Sequence, residues 1–397
     1  MLSPLQITAF KLHKLGFWYM CPLPIVWNSD YTRLIFSKRS FTWALNTFSF
    51  VILLLLNVLM VLANFYNVVS YMIIPEQRKD YSVGISCLHF NAGLMMGDIV
   101  VAILLLYKNT STVPGINEFL RWHGRLSRTF DRRDQTDLFD IFMILMVVVV
   151  WGVPWVILFC TLYFNLDPIY YFLQDFLMTD PLYRSLAEIV CSFGLRTFFM
   201  LGGFECARSL CFGAFILLVV CNRMEKSASL LITAIETNGC QRVLKYYKEF
   251  ILVYRMYKPM LIDVLSLAVS TVFWILIAQF WVIIKGYETV PLFMYLLTSA
   301  LGGSFLCVYV CTMHVVTQLG EHCEEVVVKC RKESSSEYSQ LGTKQVRREK
   351  LALRKEAIAL HPVTITYKPF QKIDRELLIA LFHNEVNRLV DALCIFG

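Results

Sequence analysis

Residues 138–163 read LFDIFMILMVVVVWGVPWVILFCTLY, and after Asp140 the run carries no charge. A helix needs about 20 mostly apolar residues to cross the hydrocarbon of a bilayer, so this segment is long enough to span, with Pro154 as the expected kink. Five other segments qualify by the same rule: 41–63, which holds VILLLLNVLMVL, then 82–107, 187–221, 260–284 and 290–316. The stretch 187–221 exceeds what a bilayer requires, which predicts tilt or an extension past the surface. Over the whole chain of 397 residues, 57% are hydrophobic and only 17% charged. A soluble domain carries about 25% charged residues, so this excess asks for an apolar solvent as well as an apolar core.

A seventh segment, 373–397, has a core reading LLIALFHNEVNRLVDALCIF. It is long enough to cross, yet it carries His383, Asn384, Glu385, Asn387, Arg388 and Asp391. A charge at a helix centre costs about 2.5–3.5 kcal/mol on insertion scales. Such a helix is expected to line water or to pack among other helices rather than to face lipid alone.

Lysine and arginine set the orientation of membrane helices. The stretches 1–40, 108–137, 222–259 and 317–375 together hold thirty of these cations, and the intervening connections hold four. This asymmetry predicts a cytosolic N-terminus and, with seven spans, an external C-terminus. It opposes the topology of a G-protein-coupled receptor. The sequon Asn109-Thr110-Ser111 discriminates between the two, since it stays bare if its connection is cytosolic and is glycosylated if that connection is external. The expected organisation is therefore all-α and integral to the membrane. A cytosolic segment 1–40 precedes a six-helix bundle over 41–316. A helical cytosolic connection spans 222–259, a cytosolic linker and anchor spans 317–372, and a last helix spans 373–397.

The long connections read as helical. In 222–259 apolar residues recur at helical spacing on both sides of Gly239, predicting two helices or one bent helix that build an anchor region under the bundle. The linker RKESSSEYSQLGTKQVRREK is Ser-rich and polar, and is expected to be disordered at its centre. Residues 15–27, with Pro22 and Pro24, read as an interfacial segment rather than a cleavable leader.

The sequence offers little chemistry of catalysis. It contains no G-x-S-x-G, H-E-x-x-H, Walker A or G-x-G-x-x-G pattern, so no enzyme activity and no cofactor are expected. The 13 cysteines include no CxxC pair and lie mostly inside apolar runs, where they pack as small hydrophobes. Cys323 and Cys330, seven apart with His322 beside the first of them, lack a second ligand pair, and no metal is expected. No nucleic-acid module is visible, and the basic connections are read as facing anionic lipid.

The stretch 359–396, ALHPVTITYKPFQKIDRELLIALFHNEVNRLVDALCIF, resembles the C-terminal signature region of arthropod gustatory receptors. It carries their Phe-x-Ile-Asp-Arg-x-Leu-Leu phrase as Phe370 to Leu378, at the opening of the last helix. It departs from the family at the terminal Thr-Tyr motif, where Asn387 and Arg388 stand. Length, span count and orientation fit the related insect odorant receptors as well. The resemblance implies a plasma-membrane chemoreceptor for a small tastant, built as a homo- or hetero-tetrameric ligand-gated cation channel. The last helices of four subunits would surround one pore, with the ligand pocket in the outer half of the other six.

Two sets of residues follow. Asn384, Asn387, Arg388, Asp391 and Ile395 repeat as one stripe on the last helix, polar until its final turn. In a tetramer four Asp391 carboxylates would attract cations; the alternative is that Arg388 and Asp391 neutralise each other inside the bundle. With the N-terminus inside, the outer halves of the spans supply His89, Phe90, Trp155, Phe159, Tyr163, Arg196, Phe198, Phe199, Phe273, Trp274, Gln279 and Tyr295. Aromatic walls with a few polar groups suit a small organic ligand, and the set expected to contact it is Trp155, Phe159, Tyr163, Arg196, Phe199, Trp274, Gln279 and Tyr295. A metabotropic receptor and a solute transporter are the alternatives from other classes.

Overall fold

The computed structural model describes residues 2–18, 23, 25–36, 40–73, 85–86, 89–90, 92–94, 97, 100–101, 111–130, 138–164, 170–171, 194, 196–285, 290–336, 344–367 and 371–396. Helix α1 (Pro4–Gly16) opens on a reciprocal cap. Ser3 Oγ accepts from the Gln6 N–H and Gln6 Oε1 accepts from the Ser3 N–H, each at 3.1 Å, with Pro4 in the first turn. Strands β1 (Ile25–Trp27) and β2 (Leu34–Phe36) pair antiparallel, Ile25 opposite Phe36. Asn28 Oδ1 closes their turn by accepting from Thr32 and Arg33 N–H at 2.7 and 3.0 Å. The outer edge of β2 is not left bare, because the Asn117 carboxamide accepts from Leu34 N–H and donates to Leu34 O, at 2.7 and 2.8 Å. Neither α1 nor this hairpin was expected from the sequence.

Helix α2 (Ser40–Ile73) is followed by helical residues at 85–86, 89–90, 92–94, 97 and 100–101, and the rest of the segment 82–107, with Asp98, lies outside the described residues. Then come α3 (Thr112–Thr129), α4 (Leu138–Phe164, with Pro154 inside it), α5 (Arg196–Asn238), α6 (Cys240–Lys285), α7 (Leu292–Ser336) and α8 (Lys344–Ile358). A two-residue hairpin, β3 (Thr366–Tyr367) with β4 (Gln371–Lys372), leads into α9 (Arg375–Phe396). The sequon at 109 and the centre of the Ser-rich linker, 337–343, lie outside the described residues.

Among the described residues four helices are long and apolar enough to cross a membrane: Phe139–Val156 and the long helices Gly202–Asn238, Cys240–Lys285 and Leu292–Ser335, with a shorter apolar run at Leu54–Ser70. On α4 the residues Ile141, Leu145, Val148, Trp155 and Phe159 form one exposed apolar stripe. That is the face a water-soluble helix would have to bury.

The three long helices explain the shape of the base. With 43, 46 and 45 residues, α5, α6 and α7 are each about 65–69 Å long at 1.5 Å per residue, over twice the ~30 Å of bilayer hydrocarbon. One half of each is apolar. The other half carries the charges and meets α3, α8 and residues 360–365 and 373 in a core that includes Trp122, Leu231, Tyr247, Phe250, Leu319, Val326, Ala357 and Ile373. Trp122 and Phe250 stack at 5.0 Å between ring centres. The expected break at Gly239 is the turn between α5 and α6. Its φ of +76° lies in the left-handed region open to glycine, and Glu333 of α7 accepts from the Cys240 N–H at 3.3 Å, capping the start of α6.

Candidate functional site

At the apolar end of the bundle one buried cluster joins parts of the chain far apart in sequence. Ile85, Tyr171, Trp281, Val282, Val290 and Met294 form it, and Val68 of α2, Val156 of α4, Tyr170, Leu297 and Leu389 of α9 pack against it. The last helix therefore shares a core with α2, α4, α6 and α7. Tyr295 Oη donates to Ile283 O at 2.9 Å and pins α7 to α6. On the same seam Gln279 is buried, and a Cβ on Gly302 would stand 3.4 Å from its Oε1. Glycine at 302 makes the room for that carboxamide.

The residues expected to contact ligand divide between two places. Trp155, Phe159 and Tyr163 share one face of α4 and are largely exposed, Trp155 meeting Phe204 of α5 edge-on at 4.7 Å and Phe159 stacking on Tyr163 at 5.9 Å. Gln279 and Tyr295 belong to the seam between α6 and α7, and Trp274, half-exposed, stands edge-on to Phe273. His89 is buried and Phe90 exposed. The side chains of Arg196, Phe198 and Phe199 lie outside the described residues. Sequence reading missed Tyr171, Trp281 and Leu389, because an apolar residue inside an apolar run carries no mark of the partner it will meet.

Helix α9 is set at its start by three contacts. Asp374 Oδ1 accepts from the Leu377 N–H at 2.9 Å as a cap. The Arg375 guanidinium binds Glu321 of α7 at 2.8 and 3.0 Å. The Ile373 N–H donates to Ile365 O at 3.0 Å. The segment before it is held to α6, where Tyr254 Oη donates to Thr364 O at 3.0 Å, and Tyr247 Oη donates to His361 O and accepts from the Val363 N–H. Along α9 the side chains of Asn384, Asn387, Arg388 and Asp391 are exposed, and that of Ile395 lies outside the described residues. No ion pair joins Arg388 to Asp391 among the described residues. On another face Ile379, Phe382, His383 and Val386 line an apolar groove of 410 Å³ with Tyr309 and Val310 of α7.

Helix α1 lies along α4. At one end Ser3 Oγ and Gln6 Nε2 donate to the two oxygens of Asp140, at 2.7 and 2.8 Å. At the other, Trp151 Nε1 donates to Gly16 O at 3.1 Å. From α5, Arg223 donates to Gln6 Oε1 at 3.2 Å and to His123 Nε2 of α3 at 3.1 Å. His123 Nδ1 and Ser227 Oγ are 2.7 Å apart, and the Ser227 hydroxyl donates to Arg223 O. A guanidinium can only donate, so His123 Nε2 accepts and its proton sits on Nδ1. Ser3, Gln6, His123, Asp140, Arg223 and Ser227 are all buried, while Trp151 is exposed. Farther along α1, His13 Nε2 donates to Arg208 O of α5 at 3.1 Å among Phe17, Phe212 and Phe215. Burial pulls its pKa down from 6.5 to about 4. Arg208 itself binds Glu205, the pairing within the bundle that their spacing of three predicts.

No protein-family model matches the chain, and no curated protein matches it in sequence. Solved structures do match. The insect olfactory receptor OR5 from Machilis hrabei superposes with a TM-score of 0.60 at 9% sequence identity, over 98% of this chain and 97% of that one. The same receptor in complex with eugenol gives 0.58 at 8% identity over the same shares. The chain is folded like an insect olfactory receptor. The likeness runs over nearly the full length of both proteins, so the N-terminal helix α1 and the terminal helix α9 both fall within the shared fold.

Proposed function

We propose that the chain is a subunit of a ligand-gated cation channel, a chemoreceptor of the insect gustatory and odorant receptor kind opened by a small organic molecule. The observation that carries this reading is the end-to-end likeness in fold to an olfactory receptor. The eugenol complex of that receptor supports a small, largely apolar ligand here. The gustatory assignment rests on the phrase Phe370 to Leu378.

In this reading seven helices cross the plasma membrane with the N-terminus in the cytosol. Four copies surround a pore lined by Asn384, Asn387, Arg388, Asp391 and Ile395. The ligand contacts in this reading are Gln279 and Tyr295 at the α6–α7 seam, Trp274 of α6, and Trp155, Phe159 and Tyr163 on the exposed face of α4, together with Arg196 and Phe199. Leu389, packed against the cluster of Trp281 and Met294, gives the pocket a mechanical route to the pore helix. Opening requires that ligand bind the open arrangement more tightly than the closed one.

The test has two parts. An N-terminal epitope tag should be reached by antibody only after permeabilisation. Cells expressing the chain, with or without related subunits, should pass cation current on exposure to a panel of tastants and odorants. Surface-resident protein with no evoked current across the panel would defeat the channel reading. A tag stained in intact cells would defeat the orientation.

A further inference from the structure

We propose that Ser335 is a phosphorylation site whose phosphate withdraws Arg331 from the end of α8 and so loosens the chain that leads to α9. The reading rests on the proposed topology only in placing this segment on the cytosolic side, where kinases work.

The acceptor is chosen by exposure. Ser334 is buried at 2% exposure, whereas its neighbour Ser335 is exposed. Ser335 stands one residue from the end of the helix, and its hydroxyl donates to Arg331 O at 2.8 Å. Terminal turns fray readily, so this hydroxyl can be presented to an enzyme without unfolding the base. Arg331 and Lys332, four and three residues before it, are exposed cations on the side toward which a helical Cβ leans. That is the pattern a kinase with an acidic substrate groove selects. In the transfer, Ser335 Oγ attacks the γ-phosphorus of ATP. The new O–P bond forms as the bond to the β,γ-bridging oxygen breaks, ADP leaves, and the hydroxyl proton passes to the kinase base.

The consequence follows from what Arg331 does now. Its guanidinium caps the end of α8, donating to Ala357 O at 3.4 Å, Ile358 O at 3.2 Å and Leu360 O at 2.8 Å. These are neutral acceptors. A phosphate one turn away brings nearly two negative charges and three acceptor oxygens, and it can take the guanidinium fork as a bidentate ion pair, which separate neutral carbonyls cannot offer. A free dianion at a helix C-terminus is also opposed by the helix dipole, which adds to the pull on a nearby cation. Glu333, two residues from Ser335, is turned to the start of α6, where its carboxylate accepts from the Cys240 N–H. Once Arg331 turns to the phosphate, the last turn of α8 keeps its own bonds, Ala359 N–H to Lys355 O and the long Leu360 N–H to Ala357 O, the exposed Lys248–Glu356 ion pair on its α6 side, and Tyr247 on His361 O just beyond it.

The full chain in nanodiscs, open on both faces, is incubated with a basophilic serine kinase and Mg-ATP, mapped by mass spectrometry, and followed by amide exchange. Phosphate is expected on Ser335 and absent from Ser335→Ala. Exchange in peptides covering 356–362 should then rise about tenfold. Arg331→Gln should reproduce that rise without phosphate. Phosphate confined to other serines would overturn the assignment. Phosphate on Ser335 with exchange unchanged over 356–362 would overturn the mechanism. Neither outcome bears on whether the channel conducts, which the current measurement decides separately.

Discussion

Gln6 Nε2 donates to Asp140 Oδ1 at 2.8 Å, across 134 residues of sequence, and so ties the N-terminal helix to the first turn of α4. Asp140 is 1% exposed and takes a second bond from Ser3 Oγ. A carboxylate in the first turn of a helix also sits well with the helix dipole. Its removal leaves two buried donors without acceptors. Asp140→Ala is therefore expected to destabilise the docked α1 by about 1.5–3 kcal/mol, the range for hydrogen bonds to a charged group. Asp140→Asn, which keeps one acceptor oxygen, should cost less. Denaturation of the purified chain in detergent would show this order, and equal midpoints for Ala and wild type would refute it.

Acid should release the same helix from its other end. His13 titrates at about 4 when docked and near 6.5 when free, so the detached form binds more protons between those values. The contribution of the neutral ring is complete above pH 6.5 and is lost as pH falls toward 4. It amounts to at most about 3 kcal/mol at 1.36 kcal/mol per pH unit. Amide exchange along α1 should accelerate from pH 7 to 5, after correction for intrinsic rates. The acceleration should be absent in His13→Gln, and an identical pH slope in that variant would place the effect elsewhere.

The long helices were legible because apolar runs of fixed length need no knowledge of their partners, and Gly239 was legible because a break in periodicity at a glycine marks a turn. The polar stripe from Asn384 to Asp391 showed for the same reason, as local spacing on one helix. What could not be read is whatever depends on distant pairing. Arg223 counts as one more cation in a basic connection until it meets Gln6, 217 positions away. Asp140 reads as a blemish in an apolar run until Ser3 and Gln6 reach it. The strands of the first hairpin are three residues each, too short to carry a period, and Asn117 supplies the edge that holds them.

Gly115 tests the packing of α3 on α6. In an exposed helix interior, alanine in place of glycine gains about 1 kcal/mol. Here a Cβ would stand 3.0 Å from Met256 Cβ, 3.3 Å from the Tyr257 ring and 3.4 Å from a Met256 backbone carbon. Tyr257 is fully buried and cannot swing aside, and overpacking of this kind costs about 1–3 kcal/mol. The clash wins, so Gly115→Ala should lower the melting temperature and Gly115→Val should lower it further. A stabilised Gly115→Ala would mean that α3 is free to shift on α6.

The proposed pore makes the sharpest functional demand. Arg388 and Asp391 are both exposed on α9 with no ion pair between them among the described residues, so each would present its full charge to a shared axis. Four carboxylates concentrate cations and four guanidinium groups repel them, and two unit charges interact by about 4 kcal/mol at 4 Å where the effective dielectric constant is near 20. Asp391→Asn should therefore reduce unitary cation conductance by about twofold or more, while Arg388→Gln should raise it. The double variant should fall between them if the two rings act through one permeation path. Leu389→Ala should leave conductance alone and shift the ligand concentration for half-opening, because that residue faces the buried cluster of Trp281. Conductance unmoved by both charge substitutions, in channels that still open to ligand, would show that ions pass elsewhere.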